Sequence, residues 1–174
     1  MTRIHCRLLL TLLLCVWITG ANADTSEAVI PHAVDLSQDA REASRRHLPI
    51  LVMFSAEYCA YCRLVENDFL KPMIYSGDYQ DKVIIRMVTI DGNEGLRDFH
   101  GKRLGADEFA AQENVSLTPT LKLYDADGHE LVPKIVGVTT VDFYGGYLDD
   151  AINKSLSIIQ QRGPVKNLKE VAAR

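Results

Sequence analysis

The chain contains four short runs rich in apolar residues, separated by segments with helical spacing. Residues 50–54 are continuously apolar, which is typical of a strand buried on both faces. Residues 82–90 predict a second strand, and residues 121–124 predict a third. The Asp-Ala-Asp-Gly turn at 125–128 leads to a fourth strand at 131–136, so the last two strands are predicted to form a hairpin.

Four helices are predicted around these strands. Residues 36–47 are rich in helix-forming residues, and Pro49 closes that stretch. From Cys59 to about residue 70 the apolar positions lie on one side of a helix, which Pro72 is expected to kink or end. The other two predicted helices span residues 106–113 and, after a threonine cap, about 140–159.

The order of these elements predicts the fold class. A βαβ unit followed by a ββα unit builds one mixed sheet with helices on both sides, so the chain is expected to be an α/β protein. The polar stretch at residues 94–115 adds a helical segment to this sheet. Residues 24–35 are expected to be a flexible leader, and residues 161–174 a polar tail.

The first 23 residues have the pattern of a secretory signal peptide. A basic start with Arg3 and Arg7 precedes an apolar run at residues 8–18. This run covers eleven residues, too few to cross a hydrocarbon core of about 30 Å as a helix. Ala21-Asn22-Ala23 then matches the small-x-small pattern cut by signal peptidases. We therefore expect cleavage after Ala23 and export to the periplasm.

Removal of this segment changes the charge and the cysteine count. The whole chain has 19 basic and 23 acidic residues, and the segment contains two of the basic ones, so the mature charge is 17 minus 23, or −6. An acidic protein has no general attraction for nucleic acid phosphates. Cys6 and Cys15 leave with the segment, so Cys59 and Cys62 are the only cysteines of the expected mature protein.

Cys59 and Cys62 stand where an apolar strand gives way to a predicted helix. Their i, i+3 spacing puts both sulfur atoms on one side of the first helical turn. Cys59 falls at the helix N-terminus, where unpaired amides and the helix dipole favour a thiolate, the species that attacks disulfides. Cys62 lies one turn further in, from where it can attack the mixed disulfide and release the product.

Other roles fit this pair less well. A structural zinc site needs about four ligands, and the mature chain has no further cysteine. Covalent haem attachment needs a histidine after the second cysteine, where Arg63 stands. A structural disulfide is the simplest alternative, although so short a loop constrains the unfolded chain little. No metal or other cofactor is expected, because the histidines show no ligand spacing: His32, His47, His100 and His129.

The segment from Ile50 to Cys62 resembles the active-site segment of thioredoxins. Thr118-Pro119-Thr120 resembles the loop that bears a cis proline beside the dithiol in this family, and residues 121–137 resemble the hairpin that follows it. The resemblance covers roughly residues 36–160. It implies a thioredoxin fold, with a mixed sheet of about four or five strands flanked by helices, and thiol–disulfide oxidoreductase activity.

The same resemblance implies roles for individual residues. Cys59 would be the nucleophile and Cys62 the resolving thiol. Pro119 would be cis, an uncommon state that marks a defined turn, and the backbone of Thr118 would pair with an extended substrate. Tyr58 and Tyr61 flank the dithiol and are expected either to contact substrate or to pack around the active-site turn.

The chain also departs from the thioredoxin pattern. Thioredoxins carry a buried acid before the dithiol that assists proton transfer from the second cysteine, and the matching position here is Met53. Glu57 is a candidate replacement, although it fits a solvated loop carboxylate equally well. Ala60-Tyr61 replaces the Gly-Pro of cytosolic thioredoxins, and a tyrosine before the second cysteine resembles periplasmic disulfide isomerases and reductases. The overall pattern thus resembles periplasmic thioredoxin-like, disulfide-interchange proteins.

These observations predict an exported thiol–disulfide oxidoreductase that acts on disulfides of proteins or small molecules. The reductant direction is favoured, and it requires electrons from a membrane thiol donor because the periplasm is kept oxidising. The alternatives are disulfide formation in the oxidant direction, a non-enzymatic chaperone or assembly module, and dithiol transfer of a soft metal such as copper. A monomer is expected, because no dimerisation domain is visible in the sequence. The acidic charge argues against a nucleic acid partner.

Overall fold

The computed structural model describes residues 28–162. The predicted signal segment, with Cys6, Cys15 and the cleavage after Ala23, lies outside the described residues, as do residues 163–174 of the predicted tail. The elements follow the chain as α1 (Leu36–Arg46), β1 (Ile50–Ser55), α2 (Ala60–Val65), a π-helical segment (Glu66–Leu70), α3 (Lys71–Ser76), β2 (Ile84–Thr89), β3 (Gly95–Arg97), β4 (Arg103–Gly105), α4 (Ala106–Gln112), β5 (Thr120–Tyr124), β6 (Ile135–Val136) and α5 (Val141–Arg162).

The central sheet has the spatial order β2-β1-β5-β6. Strand β1 runs parallel to β2, with Ile50 opposite Ile84, and antiparallel to β5, with Phe54 opposite Thr120. Every residue of β1 is buried, as its continuous apolar sequence predicts. These findings confirm the predicted α/β class and mixed sheet.

Helices cover both faces of this sheet. Alternate residues of β1 point to opposite faces, so Val52 and Phe54 pack with α1 and α4, whereas Leu51 and Met53 pack with the α2–α3 region and α5. The core therefore consists of two apolar layers, with β1 contributing to both. No helix within residues 28–162 has the length and apolar character needed to cross a membrane.

The helical region after Cys59 is longer than predicted. It passes from α2 through the π-helical segment into α3, so it does not end at Pro72. Pro72 lies in the first turn of α3, where the wider π turn precedes it and where a missing backbone N–H is tolerated. Gly77, with φ of 77°, ends α3 instead.

Three other parts of the fold differ from the predicted pattern. The stretch before α4 also contains the short antiparallel hairpin β3–β4. The fourth strand is shorter than predicted, because only β6 pairs with β5 as a strand. Residues 30–35 belong to the predicted flexible leader but lie along the edge of β2: the Met87 N–H donates to the Pro31 carbonyl at 3.0 Å, and the Ala33 N–H donates to the Met87 carbonyl at 2.8 Å.

The start of α1 is fixed by Asp35. Its Oδ1 accepts a hydrogen bond from the Gln38 N–H at 3.1 Å and another from the Ser37 hydroxyl at 2.6 Å. The first of these satisfies an amide that the helix cannot pair itself. The Ser37 hydroxyl and the backbone amides hold the pKa of the Asp35 carboxyl below its ordinary value.

Candidate active site

Cys59 caps the N-terminus of α2, immediately after the turn that follows β1. Its backbone is extended, and its sulfur forms a disulfide with Cys62, with an S–S distance of 2.06 Å and a Cα–Cα distance of 5.1 Å. The backbone N–H of Cys62 also donates to Cys59 Sγ at 3.1 Å. An amide donor and the helix N-terminus together stabilise negative charge at Cys59 Sγ when the pair is reduced.

The two cysteines differ in their access to solvent. Cys59 is half-buried, whereas Cys62 is only 1% exposed and lies in the apolar layer between the sheet and the α2–α3 region. An incoming disulfide can therefore reach Cys59 but not Cys62. The sequence resemblance predicts that Cys59 attacks first and that Cys62 resolves the mixed disulfide.

The turn before Cys59 is tied to the end of β2. The backbone N–H of Glu57 donates to both carboxylate oxygens of Asp91, at 3.0 and 3.2 Å, and the Ile90 N–H donates to the Ser55 carbonyl at 2.9 Å. The Glu57 side chain is exposed. Asp91 therefore positions the turn through its backbone, a role that the sequence analysis did not identify.

The loop before β5 lies beside the dithiol. The Thr118–Pro119 peptide bond is cis, which confirms the conformation implied by the resemblance. The Pro119 carbonyl accepts the Gly137 N–H at 2.8 Å, and the Thr120 hydroxyl donates to the Leu117 carbonyl at 2.7 Å. Because Thr120 pairs with Phe54, this loop lies next to the carboxyl end of β1, from which Cys59 extends.

Exposed apolar side chains flank Cys59 in the sequence and precede the cis-proline loop. Tyr58 is 92% exposed, and Tyr61 is 58% exposed, so both rings offer surface to solvent. Leu117, just before the cis-proline loop, is a third exposed apolar residue. The sequence analysis did not single out Leu117, although its position next to Thr118 was a usable signal.

A buried polar network supports the start of the cis-proline loop. Lys122 on β5 places its ammonium 2.7 Å from Glu113 Oε2 and 3.1 Å from Glu130 Oε2. The Tyr124 hydroxyl donates to the same Glu113 oxygen at 2.7 Å. Glu113 directly follows α4, so the network fixes the point at which the chain turns toward Pro119.

The position of the acid found in thioredoxins is apolar here, but a carboxylate lies nearby. Met53 is fully buried in the apolar layer that contains Cys62. Ser55 is the next residue on the same face of β1, and its hydroxyl donates to Glu66 Oε1 at 3.2 Å. Glu66 begins the π-helical segment, four residues after Cys62. The sequence analysis missed this pair because its members are eleven residues apart and carry no motif.

One cluster at the other end of the sheet has metal-ligand chemistry. Asp125, Asp127 and His129 each offer one ligand atom within 4.8 Å of the others. Asp125 already accepts hydrogen bonds from Arg162 at 2.8 Å and from the backbone N–H groups of the turn. The cluster follows Tyr124, which pairs with Ile50 at the start of β1, so it lies far from the dithiol.

Comparisons with known proteins concern the family and the fold of the chain. A profile of the thioredoxin-like domain matches residues 36–152. The solved structure of DsbH oxidoreductase is 18% identical, with a TM-score of 0.54 over 73% of this chain and 88% of that chain. Thioredoxin O2 from Arabidopsis thaliana is 24% identical, with a TM-score of 0.46 over 71% of this chain and 94% of that chain. No curated protein sequence matches the chain.

Proposed function

The chain belongs to the family of thioredoxin-like domains, and we propose that it is an exported enzyme that reduces disulfide bonds in extended protein segments. The family and the Cys59–Cys62 pair support thiol–disulfide oxidoreductase activity in general. The observation that carries the proposal is the asymmetry of the pair: Cys59 is accessible at a helix N-terminus, and Cys62 is buried behind it.

The reaction uses the two cysteines in turn. The Cys59 thiolate attacks one sulfur of the substrate disulfide, and the other substrate sulfur leaves as a thiolate. The Cys62 sulfur then attacks Cys59 Sγ, which breaks the mixed disulfide and releases the second substrate thiol. Two electrons pass from the protein dithiol to the substrate, and the protein is left with the Cys59–Cys62 disulfide.

The surface around Cys59 supports an extended protein segment as the substrate. The exposed side chains of Tyr58, Tyr61 and Leu117 provide apolar contacts for such a segment. Thr118 adds a backbone edge to this surface. Among the backbone–backbone hydrogen bonds of loops and turns within residues 28–162, none involves the N–H or the carbonyl of Thr118. An extended chain can therefore pair with Thr118 as an added strand does.

The proposals of export and of the reductant direction of thiol–disulfide exchange rest on the sequence. The signal pattern before Ala23 supports export to the periplasm, and Tyr61 before the second cysteine supports the reductant direction. A reductase in an oxidising compartment needs a thiol donor to regenerate its dithiol. We therefore propose a membrane thiol protein as the electron partner and the monomer as the working form.

Insulin-reduction assays with cysteine variants test the disulfide reductase activity. The reduced protein is expected to reduce insulin, and Cys59→Ser is expected to abolish this reduction. Cys62→Ser is expected to accumulate a covalent one-to-one adduct with the substrate, because the resolving thiol is absent. The double serine variant sets the background. If a folded Cys59→Ser variant replaces the wild-type protein in cells without a change of phenotype, a non-enzymatic binding module is favoured instead.

Trapping of thiols in intact cells tests the direction. Cells are quenched with acid, free thiols are alkylated, and the mature protein is separated by mass. A reductase is expected to hold Cys59 and Cys62 mainly as thiols and to become oxidised when the membrane donor is deleted. A fully oxidised pair at steady state would reject the reductant direction and favour disulfide formation.

A further inference from the structure

Cys62 must lose a proton before its sulfur attacks, and its surroundings do not favour this. The side chain is 1% exposed and packs in the apolar layer with Met53, Val65 and Leu121. An apolar environment disfavours a thiolate, and bulk hydroxide has little access to it. Efficient resolution of the mixed disulfide therefore requires a proton acceptor inside the fold.

Glu66 lies one helical turn after Cys62. Its backbone N–H donates to the Cys62 carbonyl, so the two residues occupy neighbouring positions on one helical face. Side chains at this spacing are neighbours, with Cβ atoms about 5–6 Å apart. The Ser55 hydroxyl, itself buried, donates to Glu66 Oε1 at 3.2 Å and turns the carboxylate toward β1. The carboxylate is thereby held on the side of the helix where Cys62 is buried.

The other ionisable groups of this region are less suited to accept the proton. Burial raises the pKa of the Tyr144 phenol on α5, so that hydroxyl stays protonated at neutral pH. Asp68 is in the same π-helical segment but is exposed, and Glu57 is exposed on the turn before Cys59. Lys71, whose backbone N–H donates to the Glu66 carbonyl, has an ammonium side chain, which donates hydrogen bonds and has no lone pair to accept a proton.

We propose that Glu66 accepts the thiol proton of Cys62 during resolution of the mixed disulfide and that Ser55 positions its carboxylate, an inference that rests on the proposed function. The Cys62 proton moves to Glu66 as the Cys62–Cys59 S–S bond forms. The bond between Cys59 Sγ and the substrate sulfur breaks. The leaving thiolate takes the proton from Glu66, which becomes a carboxylate again. The pair supplies both electrons, so no further reductant is consumed.

A symmetrical aromatic disulfide separates the two steps in a stopped-flow experiment. In the reduced protein, attack by Cys59 on this disulfide releases the first coloured thiolate. Attack by Cys62 on the mixed disulfide then releases the second. Glu66→Gln is expected to slow the second phase by about a hundredfold at neutral pH, the usual scale of acid–base assistance, and to leave the first phase unchanged. The second phase of this variant should then accelerate with rising pH, because hydroxide replaces the missing base. Ser55→Ala should slow the same phase less.

Matched variants make the test decisive. Asp68→Asn removes an exposed carboxylate from the same segment and is expected to change neither phase. Glu66→Asp keeps a carboxylate and should retain the wild-type shape of the pH profile. The inference is overturned if Glu66→Gln leaves the second phase unchanged, if it slows both phases equally, or if Glu57→Gln slows the second phase instead. A wild-type protein that releases no coloured thiolate would reject the proposed function itself.

Discussion

Loss of Glu113 is expected to destabilise the protein more than loss of the lysine that it contacts. The Lys122 side chain is 6% exposed, and its ammonium contacts Glu113 Oε2, the Glu113 carbonyl at 3.0 Å and Glu130 Oε2. Glu113 also accepts the Tyr124 hydroxyl, whose pKa is raised by burial, so that this phenol remains a donor. One carboxylate thus satisfies two buried donors.

The magnitudes follow from what each substitution leaves behind. Glu113→Ala leaves the Tyr124 hydroxyl without an acceptor and the buried ammonium with one carboxylate. Breaking such a buried pair costs about 3–5 kcal/mol, and the remaining Glu130 contact places the expected loss near 3 kcal/mol. Lys122→Met keeps the volume and leaves only carboxylates that are 20% and 36% exposed, so a change within about 1 kcal/mol is expected.

Urea unfolding of the oxidised protein at neutral pH measures these differences. Glu42→Ala is the control, because Glu42 pairs with Arg45 on the exposed surface of α1 and should cost under about 1 kcal/mol. If Lys122→Met destabilises as much as Glu113→Ala, the argument that Glu113 is the partner of two buried donors is refuted. An equal m-value in all variants would confirm that the free energies are comparable.

Two further predictions concern a turn glycine and a helix cap. Gly128 has φ of +81°, and an added Cβ would lie 2.8 Å from the Phe99 ring, so Gly128→Ala should destabilise by about 2 kcal/mol or more in urea unfolding. Its control, Gly146→Ala in α5, meets nothing within 4 Å and should stabilise by about 0.5–1 kcal/mol; a loss there would contradict the reasoning. Asp35→Ala should cost about 1 kcal/mol at neutral pH. Because folding lowers the pKa of Asp35, this difference should shrink as the pH falls below the ordinary value of 3.8, and a pH-independent difference would count against the capping role.

The sequence predicted the parts of the fold that depend on local pattern or on a motif. The continuous apolar run of β1 and the Cys59–Cys62 spacing were sufficient to place the dithiol at a strand-to-helix junction. The short hairpin β3–β4 was not predicted, because three-residue strands show no periodicity of apolar positions. The continuation of the helical region past Pro72 was not predicted. A π turn has no sequence signal that offsets the helix-breaking character of proline.

The supporting residues of the candidate site were less predictable than the cysteines. Ser55 and Glu66 meet only because α2 packs on the face of β1 that Ser55 shares with Met53. Glu113 and Lys122 meet because α4 ends over β5 on the opposite face. Such contacts depend on how elements pack, whereas the motif residues are recognised by spacing along the chain.

The docked residues 30–35 also cover one edge of the central sheet. An open sheet edge offers unpaired N–H and carbonyl groups that another chain can join. Along β2, Met87 is paired with Pro31 and Ala33, and the Arg86 guanidinium donates to the neighbouring Ile85 carbonyl at 2.8 Å. The opposite edge, β6, offers only two residues. Both edges of the central sheet therefore offer few unpaired backbone groups that a second copy of the chain could join.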